Sequence, residues 1–257
     1  MRKIKIVIVL LLAALVVLAL TRCGKSGETE QPALFHTDAA QQGGTSEKKK
    51  EQKLGVVTAL EDGGVQIEAA ENGETKTYSF TDLAADGWYV EAVNFAVTNG
   101  LMSGVDDGDG TLRFRPDYGM TRAQLASILY SYAGGEPAAT KRSFSDAAES
   151  DWYYESVNWA AAQGYITPVD GERFGADDFC ACEEVLTILH RVAGSPSSAA
   201  SLEDYPYAPK VSEDGLTATR WAWEKGLIAE DECVWYPTQA VSRAQIALLL
   251  MRFDAVS

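Results

Sequence analysis

The stretch MTRAQLASILYSYAG, residues 120–134, recurs as CACEEVLTILHRVAG over residues 180–194 and as VSRAQIALLLMRF over residues 241–253. Copies spaced about sixty residues apart mark a repeat architecture, in which each unit buries its apolar face against its neighbours. The position after Thr121 and Ser242 is an arginine, Arg122 or Arg243, whereas the middle copy has Cys182 there.

The repetition extends outward from these stretches. Phe80 precedes Trp88 by the same interval that separates Phe144 from Trp152, and Trp88 stands as far from Gly100 as Trp152 does from Gly164. An aromatic residue, Phe114, Phe174 or Trp235, always lies seven positions before Thr121, Ala181 or Ser242. Each unit therefore reads as helix, loop, helix. In the first helix Trp88, Ala92, Val93, Ala96 and Val97 share one face, and Gly100 is placed to end it as a C-cap. The second helix opens with Thr121-x-x-Gln124 or Ser242-x-x-Gln245, both capping boxes, while Ala181 and Glu184 keep only half of the box. The units run over 80–134, 144–194 and 202–253.

Before them, residues 54–79 alternate apolar and polar side chains and carry the turn dipeptides Asp62-Gly63-Gly64 and Asn72-Gly73. Period two with such turns predicts a short β meander, with Val57, Ala59, Val65 and Ile67 lining one face. Two or three strands are marginal alone, so the meander is expected to pack on the helical units after it.

These residues resemble the S-layer homology (SLH) repeat. Its outline is an F-x-D opening, a Trp-led helix, a Gly-bounded loop with an aromatic, and a T-R-A-E start to the second helix. The likeness runs from Phe80 to about Phe253. It implies a mainly α fold, three repeats in a pseudo-threefold spindle, with grooves that hold secondary cell-wall polysaccharide, commonly through a pyruvylated sugar. It places in those grooves the matching arginines Arg122 and Arg243, the leading aspartates Asp82, Asp146 and Asp204, and the tryptophans Trp88 and Trp152. The chemistry is sensible in its own right. A ketal-linked pyruvate presents a carboxylate, and a guanidinium at a helix start offers it a fork of donors reinforced by the helix dipole.

Each assignment has a plainer counterpart. The arginines could form surface salt bridges, the tryptophans could pack in the core, and the aspartates could act as caps or turn acceptors. Cys182 leaves the middle unit without its arginine, and Asp214 stands where a third leading Trp would fall. A disulfide could join Cys182 to Cys233, or Cys180 could pair instead; Cys180 aligns with Met120 and Val241, which suits a buried position. The CAC spacing is wrong for zinc. Asp106–Gly110, DDGDG, lacks the closing Glu of an EF-hand and reads as a turn. No metal or cofactor is expected. His36 and His190 stand without an organised nucleophile, so no catalytic residue and no enzyme activity is expected.

The N-terminus has Arg2, Lys3 and Lys5 before an apolar run from Ile6 to Leu20, the pattern of an export signal or membrane anchor over residues 1–23. Cys23 is a candidate for lipidation, although Arg22 occupies a place where the bacterial lipoprotein pattern wants a small residue. Residues 24–53 lack periodicity and read as a disordered tether, about 30 Å long when relaxed. Without residues 1–22 the chain has 18 Lys and Arg against 37 Asp and Glu, net −19, a balance that repels nucleic acid. The expected protein is thus a non-catalytic, extracytoplasmic envelope protein, tethered to the membrane by its N-terminus or associated with the wall, whose partner is a secondary wall polysaccharide. The alternative is a degenerate scaffold that docks another envelope protein.

Overall fold

The computed structural model describes residues 51–108, 111–230 and 233–257. The expected signal or anchor with Cys23, and the tether up to residue 50, lie outside the described residues. Among the described residues no helix is long and apolar enough to cross a membrane.

The meander forms as β1 (Val56–Ala59), β2 (Val65–Glu71) and β3 (Glu74–Phe80). Asn72 and Gly73 both take positive φ, 51° and 85°, the conformation of a two-residue hairpin turn whose twist matches the flanking strands. Two short strands from a later loop, β4 (Val105–Asp106) and β5 (Leu112–Arg113), extend the sheet to the order β1-β2-β3-β5-β4. The join is a parallel pairing of Phe80 with Leu112. With this five-stranded sheet and six helices among the described residues the fold is mixed α/β, which corrects the mainly α expectation. The meander is no appendage, because its central strand lies on the first helix and its last strand captures the loop beyond that helix.

Val65, Ile67 and Ala69 of β2 are fully buried. Val57 and Ala59, expected on the same buried face, are exposed. The reason is positional: β1 is the sheet's edge, and the helix packs on β2. The tether also ends earlier than expected. The Gln52 amide donates to the Met251 carbonyl at 2.6 Å, and the Asn99 amide donates to that of Lys53 at 2.9 Å, so residues 52 and 53 already belong to the folded part.

The helices are α1 (Val90–Thr98), α2 (Arg122–Tyr132), α3 (Tyr154–Ala162), α4 (Cys182–Val192), α5 (Leu216–Glu224) and α6 (Arg243–Val256), with a 3₁₀ turn over Ala208–Lys210. Gly100, Gly164 and Gly226 follow α1, α3 and α5 at φ of 66°, 71° and 68°. At each the chain turns back, as when Leu101 N–H reaches the Ala96 carbonyl at 2.9 Å, so the expected glycine C-cap recurs three times. Both complete capping boxes form on α2 and α6, while Ala181 gives α4 no side-chain cap. Thr121→Ala and Ser242→Ala should therefore each cost about 1 kcal/mol in urea unfolding.

Packing runs between sequence units. Helix α2 lies on α3, α4 on α5, and α6 returns to α1, so each helix pair combines the end of one unit with the beginning of another. A ring of backbone hydrogen bonds closes the arrangement. Met120 N–H donates to the Val241 carbonyl at 2.9 Å, Val241 N–H to that of Cys180 at 3.0 Å, and Cys180 N–H to that of Met120 at 2.9 Å. All three side chains are buried. Phe114, Phe174 and Trp235 fill the surrounding core, and each is fully buried or nearly so.

Candidate functional site

The ring brings the start of each of α2, α4 and α6 against the preceding or following loop. Arg122 N–H donates to the Asp178 carbonyl, Cys182 N–H to that of Gln239 and Arg243 N–H to that of Tyr118, each at 2.9 Å. The next amides, of Ala123, Glu183 and Ala244, go to Ala176, Pro237 and Pro116. These helix-start donors are therefore committed to loop carbonyls, and a ligand carboxylate would have to rely on the guanidinium side chains, contrary to the expected help from helix-terminal groups.

Arg122 and Arg243 are anchored alike. Nε of Arg243 donates to the Phe114 carbonyl at 2.7 Å and Nη2 to that of Ser103 at 2.8 Å, with the guanidinium 4.9 Å from the Phe114 ring centre. Nε of Arg122 donates to the Phe174 carbonyl at 3.2 Å and Nη2 to that of Thr167 at 2.5 Å, with the guanidinium 5.2 Å from the Phe174 ring centre. The remaining nitrogen distinguishes them. Nη1 of Arg122 donates to the Glu184 carboxylate, and this arginine is only 6% exposed. Among the described residues no carboxylate pairs with Arg243. Burial lowers the pKa of both arginines; near Arg243 the Arg115 guanidinium lowers it further and Asp82 opposes this.

Two of the aspartates serve the loops. Asp146 accepts N–H groups from Phe174, Gly175 and Ala176 at 2.8, 2.7 and 2.9 Å. Asp82 accepts those of Phe114 and Arg115 at 2.8 and 2.6 Å. Their carboxylates thus hold the loop segment whose Phe114 or Phe174 carbonyl accepts from the arginine. Asp204 is exposed. The tryptophans are not core residues, since Trp152 is 70% and Trp88 36% exposed, each edge-on to the following tyrosine.

Three grooves among the described residues carry these side chains or their counterparts, and they differ in chemistry. The first, about 220 Å³, combines Arg243 and Trp152 with Ser103 and the polar face of α2, namely Gln124, Ser127 and Ser131. The second, about 540 Å³, is lined by Glu183, Glu184, Thr187, Arg191 and Asp214. The third, about 380 Å³, carries Trp88 with Glu91, Cys233, Leu248, Met251 and Arg252.

Sequence reading missed the residue that compensates for Cys182. The Tyr205 hydroxyl donates to the Trp235 carbonyl, the counterpart of the Phe114 and Phe174 carbonyls held by the arginines. Tyr205 aligns with Leu83 and Ala147, so a polar group at an otherwise apolar position was the available signal. Burial raises the Tyr205 pKa and keeps the phenol a donor. Cys180 and Cys182 are buried thiols whose pKa values are pushed up to about 12 by burial, and neither of the cross-links expected through them is formed. In the DDGDG stretch Asp106 accepts the Gly108 N–H at 2.7 Å and Asp107 pairs with Arg113 and Arg115, which are turn and ion-pair roles. His190 meets the Pro196 carbonyl at 2.8 Å and packs beside Trp221.

Comparison with known proteins bears on this architecture. The S-layer homology domain profile matches residues 79–126 and 143–180. A cellulosome-anchoring protein of Acetivibrio thermocellus is 26% identical over 195 residues, covering 68% of this chain and 42% of its own length. The S-layer protein sap of Bacillus anthracis is 25% identical over 210 residues, 78% of this chain and 24% of its own. Exoglucanase XynX of Acetivibrio thermocellus is 21% identical over 192 residues, 68% of this chain and 16% of its own. The chain thus spans less than half the length of these relatives. Residues 79–126 and 143–180 thus match the S-layer homology domain profile, and the chain is similar to parts of anchoring and S-layer proteins.

Proposed function

We propose that this chain is a non-catalytic cell-envelope anchor with three S-layer homology repeats, at 80–134, 144–194 and 202–253. On this reading it binds an anionic secondary cell-wall polysaccharide, pyruvylated in the simplest case. Its N-terminal segment holds it at the membrane, so the chain links membrane to wall. The observation that carries the reading is the Arg243 groove, where a buttressed guanidinium with no partner carboxylate among the described residues shares a cleft with an exposed tryptophan and serine and glutamine side chains. A carboxylate on a sugar would take the arginine fork, and the indole would cover an apolar sugar face. Asp82 supports this arginine through the Phe114 loop. The names of the relatives, a cellulosome-anchoring protein and S-layer proteins, agree with a wall-associated role.

The test is co-sedimentation of the full chain with purified cell walls before and after chemical removal of the secondary polymer. Binding should vanish with the polymer. Arg243→Ala should weaken it roughly tenfold or more, the size of one charge-assisted hydrogen bond. Trp152→Ala should also weaken it while leaving the melting temperature unchanged, because that side chain is exposed. A second reading, a degenerate scaffold docking another envelope protein, draws on Cys182 and Asp214 in place of an arginine and a tryptophan. Retention on stripped walls, or no wall binding at all, would favour it.

A further inference from the structure

We infer that Glu184, which lines the second groove, is a built-in partner that covers Arg122 there, so that the chain offers one groove to an anionic ligand where its two arginines would offer two. The inference rests on the anionic-glycan reading and adds the valency of the site.

The cause lies in the helix start. In α2 and α6 the third helical residue is a glutamine whose amide oxygen accepts the N–H of the cap residue, Thr121 at 3.1 Å and Ser242 at 2.8 Å. That hydrogen bond holds Gln124 back on its own backbone, and Arg243, which faces α2, pairs with no acid among the described residues. In α4 the cap residue is Ala181, no side-chain cap forms, and the third residue is Glu184. Its side chain turns across the groove and meets Nη1 of Arg122. The carboxylate thus stands where a ligand carboxylate would have to bind, on an arginine otherwise anchored like Arg243.

The neighbours reinforce this occupancy. Asp214 lines the second groove, at the position corresponding to Trp152 in the first, and Glu183 lies beside it with Oε2 accepting the Ser212 N–H at 2.9 Å. Arg191 also lines that groove, but its Nη1 is committed to the Tyr165 carbonyl at 3.1 Å and the Thr167 hydroxyl at 3.0 Å. An incoming anion therefore meets acidic side chains and two arginines already engaged. Displacing Glu184 means that a nearly buried guanidinium exchanges one carboxylate for another, which leaves little net gain.

Calorimetric titration of the full chain with a hexose bearing a pyruvate ketal reads the stoichiometry directly. The expected result is one site in the parent chain, lost in Arg243→Ala and retained in Arg122→Ala. Glu184→Gln installs the residue that α2 and α6 carry, and should reveal a second, weaker site that disappears again in Glu184→Gln/Arg122→Ala. Ala181→Ser/Glu184→Gln rebuilds the whole capping box and should give the same second site, which guards against a folding defect of the single variant. Two sites in the parent chain, one of them removed by Arg122→Ala, would overturn the inference and leave the glycan reading standing. So would a stoichiometry that stays at one in both Glu184→Gln variants. No binding by any variant would overturn the glycan reading itself, and the inference with it.

Discussion

Phe114→Ala is expected to destabilise the protein by about 3–5 kcal/mol and to lower its melting temperature by roughly 10 °C. The ring is fully buried and meets Phe80 edge to face, with centres 5.9 Å apart, so truncation removes apolar burial and leaves a cavity that the sheet and loop close only in part. The loss reaches the site as well. The Phe114 ring lies under the Arg243 guanidinium, and the Phe114 backbone links Asp82 on one side to Arg243 on the other. Binding to walls should fall together with stability. Tyr118→Ala, four residues away, is the control: that ring is 60% exposed, and its loss should change stability by less than about 0.5 kcal/mol. A small effect of Phe114→Ala in thermal unfolding would mean that the loop does not depend on this ring.

The second large effect is expected at Asp146. Three consecutive N–H groups, of Phe174, Gly175 and Ala176, converge on its carboxylate, and all three residues are buried. Asp146→Ala would leave them without their acceptor at a cost of about 3 kcal/mol or more. Asp82→Ala, with two such donors, should cost about 2 kcal/mol, and Asp204→Ala, at an exposed position, almost nothing. A graded order in urea unfolding would show that the leading aspartates act by holding the loops. The effect should also depend on pH. Burial alone raises the Asp146 pKa, but the hydrogen bonds from Ala176, Phe174 and Gly175 outweigh it and hold the carboxyl below its ordinary value. A carboxyl with a depressed folded pKa stabilises the fold above its unfolded pKa, and that contribution is lost as the pH falls through the folded one. The gap between parent and Asp146→Ala should be full at neutral pH and shrink below about pH 4. A gap that is unchanged by acid would assign it to packing.

Much of the local structure was legible because its causes are local. The helix starts at Arg122 and Arg243 follow from apolar periodicity and from cap residues within four positions of them, and the start at Cys182 follows from periodicity and the repeat alone. The glycines after α1, α3 and α5 follow from the positive φ that a helix must adopt to turn back. The hairpin at Asn72-Gly73 has the same kind of cause. Burial was harder to read. Trp88 and Trp152 stand in turns two residues before α1 and α3, at positions whose spacing suggested a core, and Val57 shares a face with the buried Ile67, yet all three are exposed because a side chain is covered by neighbours from elsewhere in the chain.

The sequence by itself determined where helices and turns begin and end, that the pattern recurs about every sixty residues, and which positions carry arginine, since these depend on residues a few places apart. Tertiary structure alone decided that α6 closes back on α1, that Met120, Cys180 and Val241 join in a backbone ring, and that a loop strand completes the sheet. It also decided that Arg122 meets Glu184 while Arg243 meets no such acid among the described residues, and that Tyr205 serves the carbonyl left by Cys182. The physical reason is reach: a side chain's partner is set by the groups that the fold brings within about 3 Å of its polar atoms, and these partners stand tens to over a hundred residues away in the chain.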